Sequence, residues 1–207
     1  MARTETITIY KFDELSDEAK EKAREWYRSA GAHDRWYTDV YENAETAGDL
    51  LGIDVNVRRK AIPQISFSGF CSQGDGAKFE GSYSYRKGWR SALLHEFGPG
   101  ESLNTLLNIG LQLQHAQAPF FYKLVARCTD QGPYQHSGCM AVEVEHDEDR
   151  YRDIGYAEAA IRSALRQFAD WIYSVLEAEH DWLNADEQVD ENIRANDYEF
   201  HDDGSRA

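Results

Sequence analysis

The chain has 207 residues, 42% hydrophobic and 13% aromatic, with 37 acidic against 22 basic side chains and a net charge of −15. Its apolar content suffices for a buried core and excludes a disordered chain, while the acidic balance disfavours direct nucleic-acid binding, because phosphate contacts need a basic surface. No apolar run approaches the ~20 residues of a membrane span, and the opening "MARTETITIYKF" lacks the apolar stretch of a secretion signal.

The first segment, "ITIYKF" (residues 7–12), alternates as an edge strand. Leu15, Ala19, Ala23, Trp26 and Ala30 then recur at helical spacing, with Ser16 as N-cap and Gly31 as stop. A second helix is expected over residues 34–51, its stripe built from Tyr37, Val40, Tyr41, Ala44, Ala47 and Leu51 and ended by Gly52. The period then becomes two. Ile53, Val55 and Val57 alternate with polar residues, Ile65 and Phe67 follow Pro63, and Phe79, Gly81, Tyr83 and Tyr85 form a further strand. "SQGDGA" separates two of these runs, so the stretch reads as a hairpin. A helix over residues 101–117 ends before Pro119. "FFYKLVARCTD" and "HSGCMAVEVE" make a second hairpin across "QGPYQ". The longest helix starts near Gly155 and carries Ala157, Ile161, Ala164, Leu165, Phe168, Ile172, Val175 and Leu176 on one stripe. A short helix over residues 186–195, an extended "NDYEF" and a frayed tail, residues 201–207, complete the chain.

Strands interrupted by helices, without βαβ alternation, predict an α+β fold. The expected architecture is an antiparallel sheet of about four to six strands built from the two hairpins, packed against several helices including the long C-terminal one. No segment has linker composition, so a single domain over residues 1–207 is expected.

Two regions carry chemistry. The glycine-marked turns bring together Gln73, Gly74, Asp75 and Gly76 with Glu80 in one hairpin, and Tyr134, His136 and Ser137 in the other. Gly74 and Gly76 are expected to supply positive φ, and Asp75 to stabilise the turn through its own backbone. The alternative is a ligand site, in which glycine lets backbone amides approach an anion and His136 with Asp75 or Glu80 does acid–base work. No P-loop or dinucleotide fingerprint is present. Cys71, Cys128 and Cys139 form no CxxC pair and no zinc spacing, which fits reduced thiols in a soluble cytoplasmic protein and assigns no metal and no cofactor.

The second region is the acidic segment, residues 177–203, with eleven acids against one base, Arg194. Such a run is a solvated face or a surface that docks on a basic partner. The docking reading uses Glu177, Glu179, Asp181, Asp186, Glu187, Asp190 and Glu191, with Trp182, Tyr198 and Phe200 as aromatic anchors.

"LSDEAKEKAREWYR", "FSGFCSQGDGAKFEGSYSY", "HSGCMAVEVE" and "ADEQVDENIRANDYEF" together resemble a family of small acidic accessory proteins of tailed bacteriophages, some labelled antitoxin-like. The resemblance spans nearly the whole chain and implies a protein made in the bacterial host cytoplasm. It brings no reaction and no catalytic residues. What it implies is a counter-defence protein, non-enzymatic, that inhibits a host immune effector of anti-CRISPR or anti-restriction type through its acidic surface. Two alternatives stand beside it: a small-molecule binder that captures or hydrolyses a nucleotide immune signal between the glycine-rich turns, and an antitoxin-like partner protein. A homodimer is compatible with each.

Overall fold

The computed structural model describes residues 7–30, 35–58, 62–149 and 152–207. The expected helix stop at Gly31 and start at Asp34 lie outside these residues. The fold is α+β. Although no linker is legible, the contacts gather into two compact units. One joins the two ends of the chain, up to Trp36 and from Ala178 onward; the other is residues 37–177. A unit assembled from distant ends needs no linker composition, which is why the sequence gives no sign of it.

In the first unit, β1 (Tyr10–Lys11) leads through a 3₁₀ turn into α1 (Asp17–Ser29). The Ser16 hydroxyl accepts the Ala19 N–H at 3.3 Å, and Asp17 and Glu18 meet the positive end of the helix. Ala19, Ala23 and Tyr27 form the buried stripe of α1. They join Phe12, Leu15, Phe200 and two residues of α6 (Asp186–Ala195), Val189 and Ile193, in one apolar cluster. Helix α1 therefore packs on α6 and the end of the chain. The end itself is held: β10 (Glu199–Phe200) pairs antiparallel with β1, the Ala207 N–H bonds the Glu199 carbonyl, and Asp203 pairs with Lys22. The expected frayed tail is thus a hydrogen-bonded turn, anchored by a cation 181 residues away in sequence.

In the second unit, α2 (Thr38–Leu51) ends at Gly52, whose left-handed φ of 83° closes the helix as expected. Then come β2 (Ile53–Val55), β3 (Val57–Arg58) and β4 (Ile62–Pro63). The first hairpin is β5 (Ile65–Ser68) and β6 (Gly76–Phe79), followed by β7 (Gly81–Ser84), α3 (Trp89–Glu96) and α4 (Glu101–Gln117). The second hairpin is β8 (Leu124–Asp130) and β9 (Met140–His146), and the long helix α5 (Tyr156–Asn184) belongs to this unit up to Glu177.

The main sheet has four antiparallel strands in the order β2-β7-β8-β9. Hairpin β5–β6 is a separate ladder; the run from Phe79 to Tyr85 breaks at Glu80, and only its second half, β7, enters the sheet. Ile53, Tyr83, Leu124, Ala126, Cys128, Met140 and Val142 are buried on one face, and Asp54, Ser82, Ser84, Arg127 and Glu143 are exposed on the other. Gly48 of α2 lies against Ile53 and the Phe168 ring of α5, where a Cβ would meet the Ile53 carbonyl at 2.7 Å. From α4, the fully buried Gln117 side chain accepts the Leu124 N–H at 3.0 Å and donates to its carbonyl at 2.7 Å, replacing a strand partner at the start of β8. On β9, Arg166 donates to the Met140 carbonyl at 3.0 Å and Arg162 to the Val142 carbonyl at 3.4 Å, which satisfies carbonyls on the sheet edge.

Candidate functional site

Register Ser68↔Gly76 leaves residues 69–75 as the loop of the first hairpin. Asp75 organises it. One carboxylate oxygen accepts the backbone N–H groups of Ser72 at 2.7 Å and Cys71 at 3.1 Å, and the other accepts the Ser68 hydroxyl at 3.2 Å. These bonds, chiefly that from the Ser72 amide, hold the Asp75 carboxyl below its ordinary range. Gly69 has φ of 70° and no room for a side chain, since a Cβ would fall 1.8 Å from the Asp75 carboxylate. Gln73 is exposed.

The second turn lies beside the first. Gly74, at φ 105°, faces the Tyr134 ring 3.7 Å from where its Cβ would be. Gly76 backs onto His136: a Cβ there would sit 2.6 Å from the His136 Cβ. Gly76 has no positive φ, contrary to expectation; it is required by this close approach instead. The Tyr134 and His136 rings lie nearly parallel, 6.1 Å apart at 17°, and Ser137 is half-buried at the start of a 3₁₀ turn. Glu80 is elsewhere, at the far end of β6, accepting from Gln64 at 3.1 Å. The structure therefore unites six of the eight turn residues around Gly74 and Gly76, leaves Gln73 at the loop surface and separates Glu80.

Two residues beyond those expected complete the region. Lys78 is 3% exposed and spans the two hairpins, its ammonium 2.6 Å from the Asp130 carboxylate and 3.2 Å from the Gly132 carbonyl. Strand alternation reads Lys78 as outward-facing, so nothing in the pattern signals this burial. Tyr173 of α5 stacks on Phe70 of the loop at 5.4 Å and 26°, and burial, followed by the nearby charge of Glu177, pushes its phenol up.

Nucleophilic chemistry is poorly served. His136 Nε2 lies 3.6 Å from the Cys139 sulfur, but His136 Nδ1 accepts the Gly138 N–H at 3.0 Å. An imidazolium, the form that would hold a thiolate, needs protons on both nitrogens and would break that bond. Burial pushes the Cys128 thiol up to about 12. Asp75 is engaged within its own loop, so it is not aimed at His136 as a general base. Among the described residues, no group of three or more His, Cys, Asp or Glu is placed to hold a metal.

The acidic segment divides into internal and outward charges. Asp190 forms a two-pronged bond with Arg24 at 2.7 and 2.9 Å, and Asp186 pairs with Arg28 at 2.5 Å. The Arg24 guanidinium is pushed up, mainly by Asp190. These carboxylates tie α6 to α1. Phe200 is fully buried and has no surface to offer, and Tyr198 is half-buried between Trp26, 5.1 Å away, and Arg206 over its ring at 5.0 Å. Asp186 is itself exposed but paired, whereas Glu187 and Glu191, one turn apart on α6, face solvent along with Asp181 and Trp182 on α5; Trp182 is 54% exposed. Glu187 and Glu191 form no ion pair among the described residues. Glu179 is half-buried, and Glu177, in the other unit, is exposed.

Residues 36–186 match a protein family described as a domain of unknown function (DUF8835), and the chain belongs to that family. No curated protein and no solved structure matches the chain. The matched span covers all of the second unit and leaves α1 and nearly all of α6 outside it.

Proposed function

We propose that this member of the DUF8835 family is a non-enzymatic binding protein that docks on a basic protein surface through the outer face of α6. The observation that carries this reading is the pair Glu187 and Glu191. Like charges one turn apart oppose each other by a few tenths of a kcal/mol in an isolated helix. Asp186 and Asp190, on the same helix, are compensated by arginines, whereas Glu187 and Glu191 are left to solvent. A cationic partner would compensate them, with the exposed Trp182 ring as an apolar anchor beside Asp181. The resemblance to phage accessory proteins gives that partner its class: a host defence protein whose nucleic-acid channel supplies the basic surface, in the bacterial cytoplasm.

The test is capture by in-cell crosslinking through a photoreactive residue at position 188 in bacteria carrying a defence system, followed by binding of the purified partner to the wild type and to Glu187→Lys/Glu191→Lys. Specific capture of a basic defence protein that the double variant fails to bind supports the reading. Equal binding by both chains rejects it.

A second reading, capture of a small anionic molecule at the paired turns, draws support from the contact between Gly76 and His136. It predicts a bound nucleotide that is lost in His136→Ala. The engagement of Asp75 by its own loop weighs against it.

A further inference from the structure

At the opposite end of the main sheet, α4 passes through a short 3₁₀ turn into β8 by way of Phe121 and Tyr122. Both residues have positive φ, 54° and 61°. The Tyr122 N–H bonds the Gln117 carbonyl at 3.1 Å and the Phe121 N–H bonds the Ala118 carbonyl at 3.3 Å. This is the helix-ending motif in which the residue at Phe121 is ordinarily glycine. An aromatic residue at Phe121 is strained, and its ring, 76% exposed, gives the fold little packing in return. Strain of this kind, held at a surface, points to use.

The surroundings say what covers the ridge. Tyr122 packs on Tyr85, ring centres 4.2 Å apart. Tyr85 continues β7 and is followed by the exposed Arg86 and Lys87; β9, on the other side of β8, runs on into the exposed Asp147, Glu148 and Asp149. The Asp147 N–H bonds the Lys123 carbonyl at 2.8 Å, which fixes this acidic flank beside the ridge, and Lys123 itself pairs with Glu148 at 2.9 Å. Strand order thus sets a cationic flank, an aromatic centre and an acidic flank side by side. A two-fold axis through the centre brings the cations of one copy onto the acids of the other and the exposed rings together, the self-complementarity that a symmetric interface requires.

We propose that this end of the sheet is the interface of a symmetric homodimer, with Phe121 as its central anchor and Lys87 facing Asp147 of the second copy. The partner is a second copy of this chain.

Sedimentation equilibrium across a concentration series tests it, with the full chain throughout. The expected result is a reversible dimer whose dissociation constant rises by about tenfold or more in Phe121→Gly. That variant keeps or raises the melting temperature of the monomer, because glycine suits the left-handed position. Lys87→Glu and Asp147→Lys each weaken the dimer, and the double variant Lys87→Glu/Asp147→Lys regains affinity over either single one, because both symmetric contacts are then reversed together. A chain that stays monomeric at millimolar concentration overturns the proposal, as does a dimer indifferent to Phe121→Gly. Charge effects that simply add in the double variant overturn it too. A monomer whose Phe121 crosslinks to a different protein would assign the ridge to that protein and overturn the dimer.

Discussion

Gly76 and His136 come from different hairpins and meet so closely that a Cβ on Gly76 would lie 2.6 Å from the His136 Cβ and 2.9 Å from its Cα. The obstruction includes backbone, so it cannot swing aside. Gly76→Val should cost about 1–3 kcal/mol through overpacking. Gly74→Ala has room for its methyl group and should cost only the left-handed strain, about 1 kcal/mol. Urea unfolding of the two variants checks the order; equal losses would mean that the turns are not in contact.

Asp75 links loop order to pH. Its folded carboxyl is depressed, so its contribution is complete at neutral pH and is lost as pH falls through the folded value, below the ordinary carboxylate range. Amide exchange at Cys71 and Ser72, corrected for intrinsic rates, should therefore accelerate in that acid range and at neutral pH in Asp75→Ala. Protection unchanged in Asp75→Ala would remove the carboxylate from its organising role.

Two of the three thiols, Cys71 and Cys128, should separate by alkylation. Cys71 is exposed, while Cys128 is buried with its thiol pushed up to about 12. Mass spectrometry after brief iodoacetamide treatment should find Cys71 modified in the native protein and Cys128 only after unfolding. Native labelling of Cys128 at the rate of Cys71 would contradict the burial.

Lys78 bridges the two hairpins, and Lys78→Met should destabilise by about 1–3 kcal/mol, because it leaves Asp130 and the Gly132 carbonyl without their donor. Adding Asp130→Asn should recover part of that loss, since the coupled pair is then removed together. Denaturant midpoints of both variants decide; strict additivity would show that the pair is not coupled.

Helices with clear punctuation were legible. Helix α4 ends before Pro119 and α6 spans residues 186–195, both as expected. Helix α3 escapes because it has eight residues, two buried ones and a glycine, Gly88, in place of a capping side chain. The break at Glu80 is invisible because the period of two continues unchanged across it. At the site, the neighbouring turns could be anticipated from glycine and Asp75, but the role of Gly76 could not, because close approach is a tertiary fact. The acidic segment misled for the same reason. Asp186 and Asp190 find Arg28 and Arg24 some 160 residues away, so composition overstates the free charge. Phe200 looks like a surface anchor in a polar stretch, yet pairing with β1 turns it into the core.

The outward face of α6 can be isolated from that internal network, because Glu187 and Glu191 can be reversed without touching either arginine. The decisive measurement is the affinity of Glu187→Lys/Glu191→Lys for the captured basic partner, at low and at physiological salt, beside its melting temperature. About tenfold or greater weakening with an unchanged melting temperature is expected, and the wild-type complex should weaken as salt shortens the screening length towards about 8 Å. Wild-type affinity in the double variant, together with indifference to salt, would contradict it and leave the acidic face as a solubilising surface.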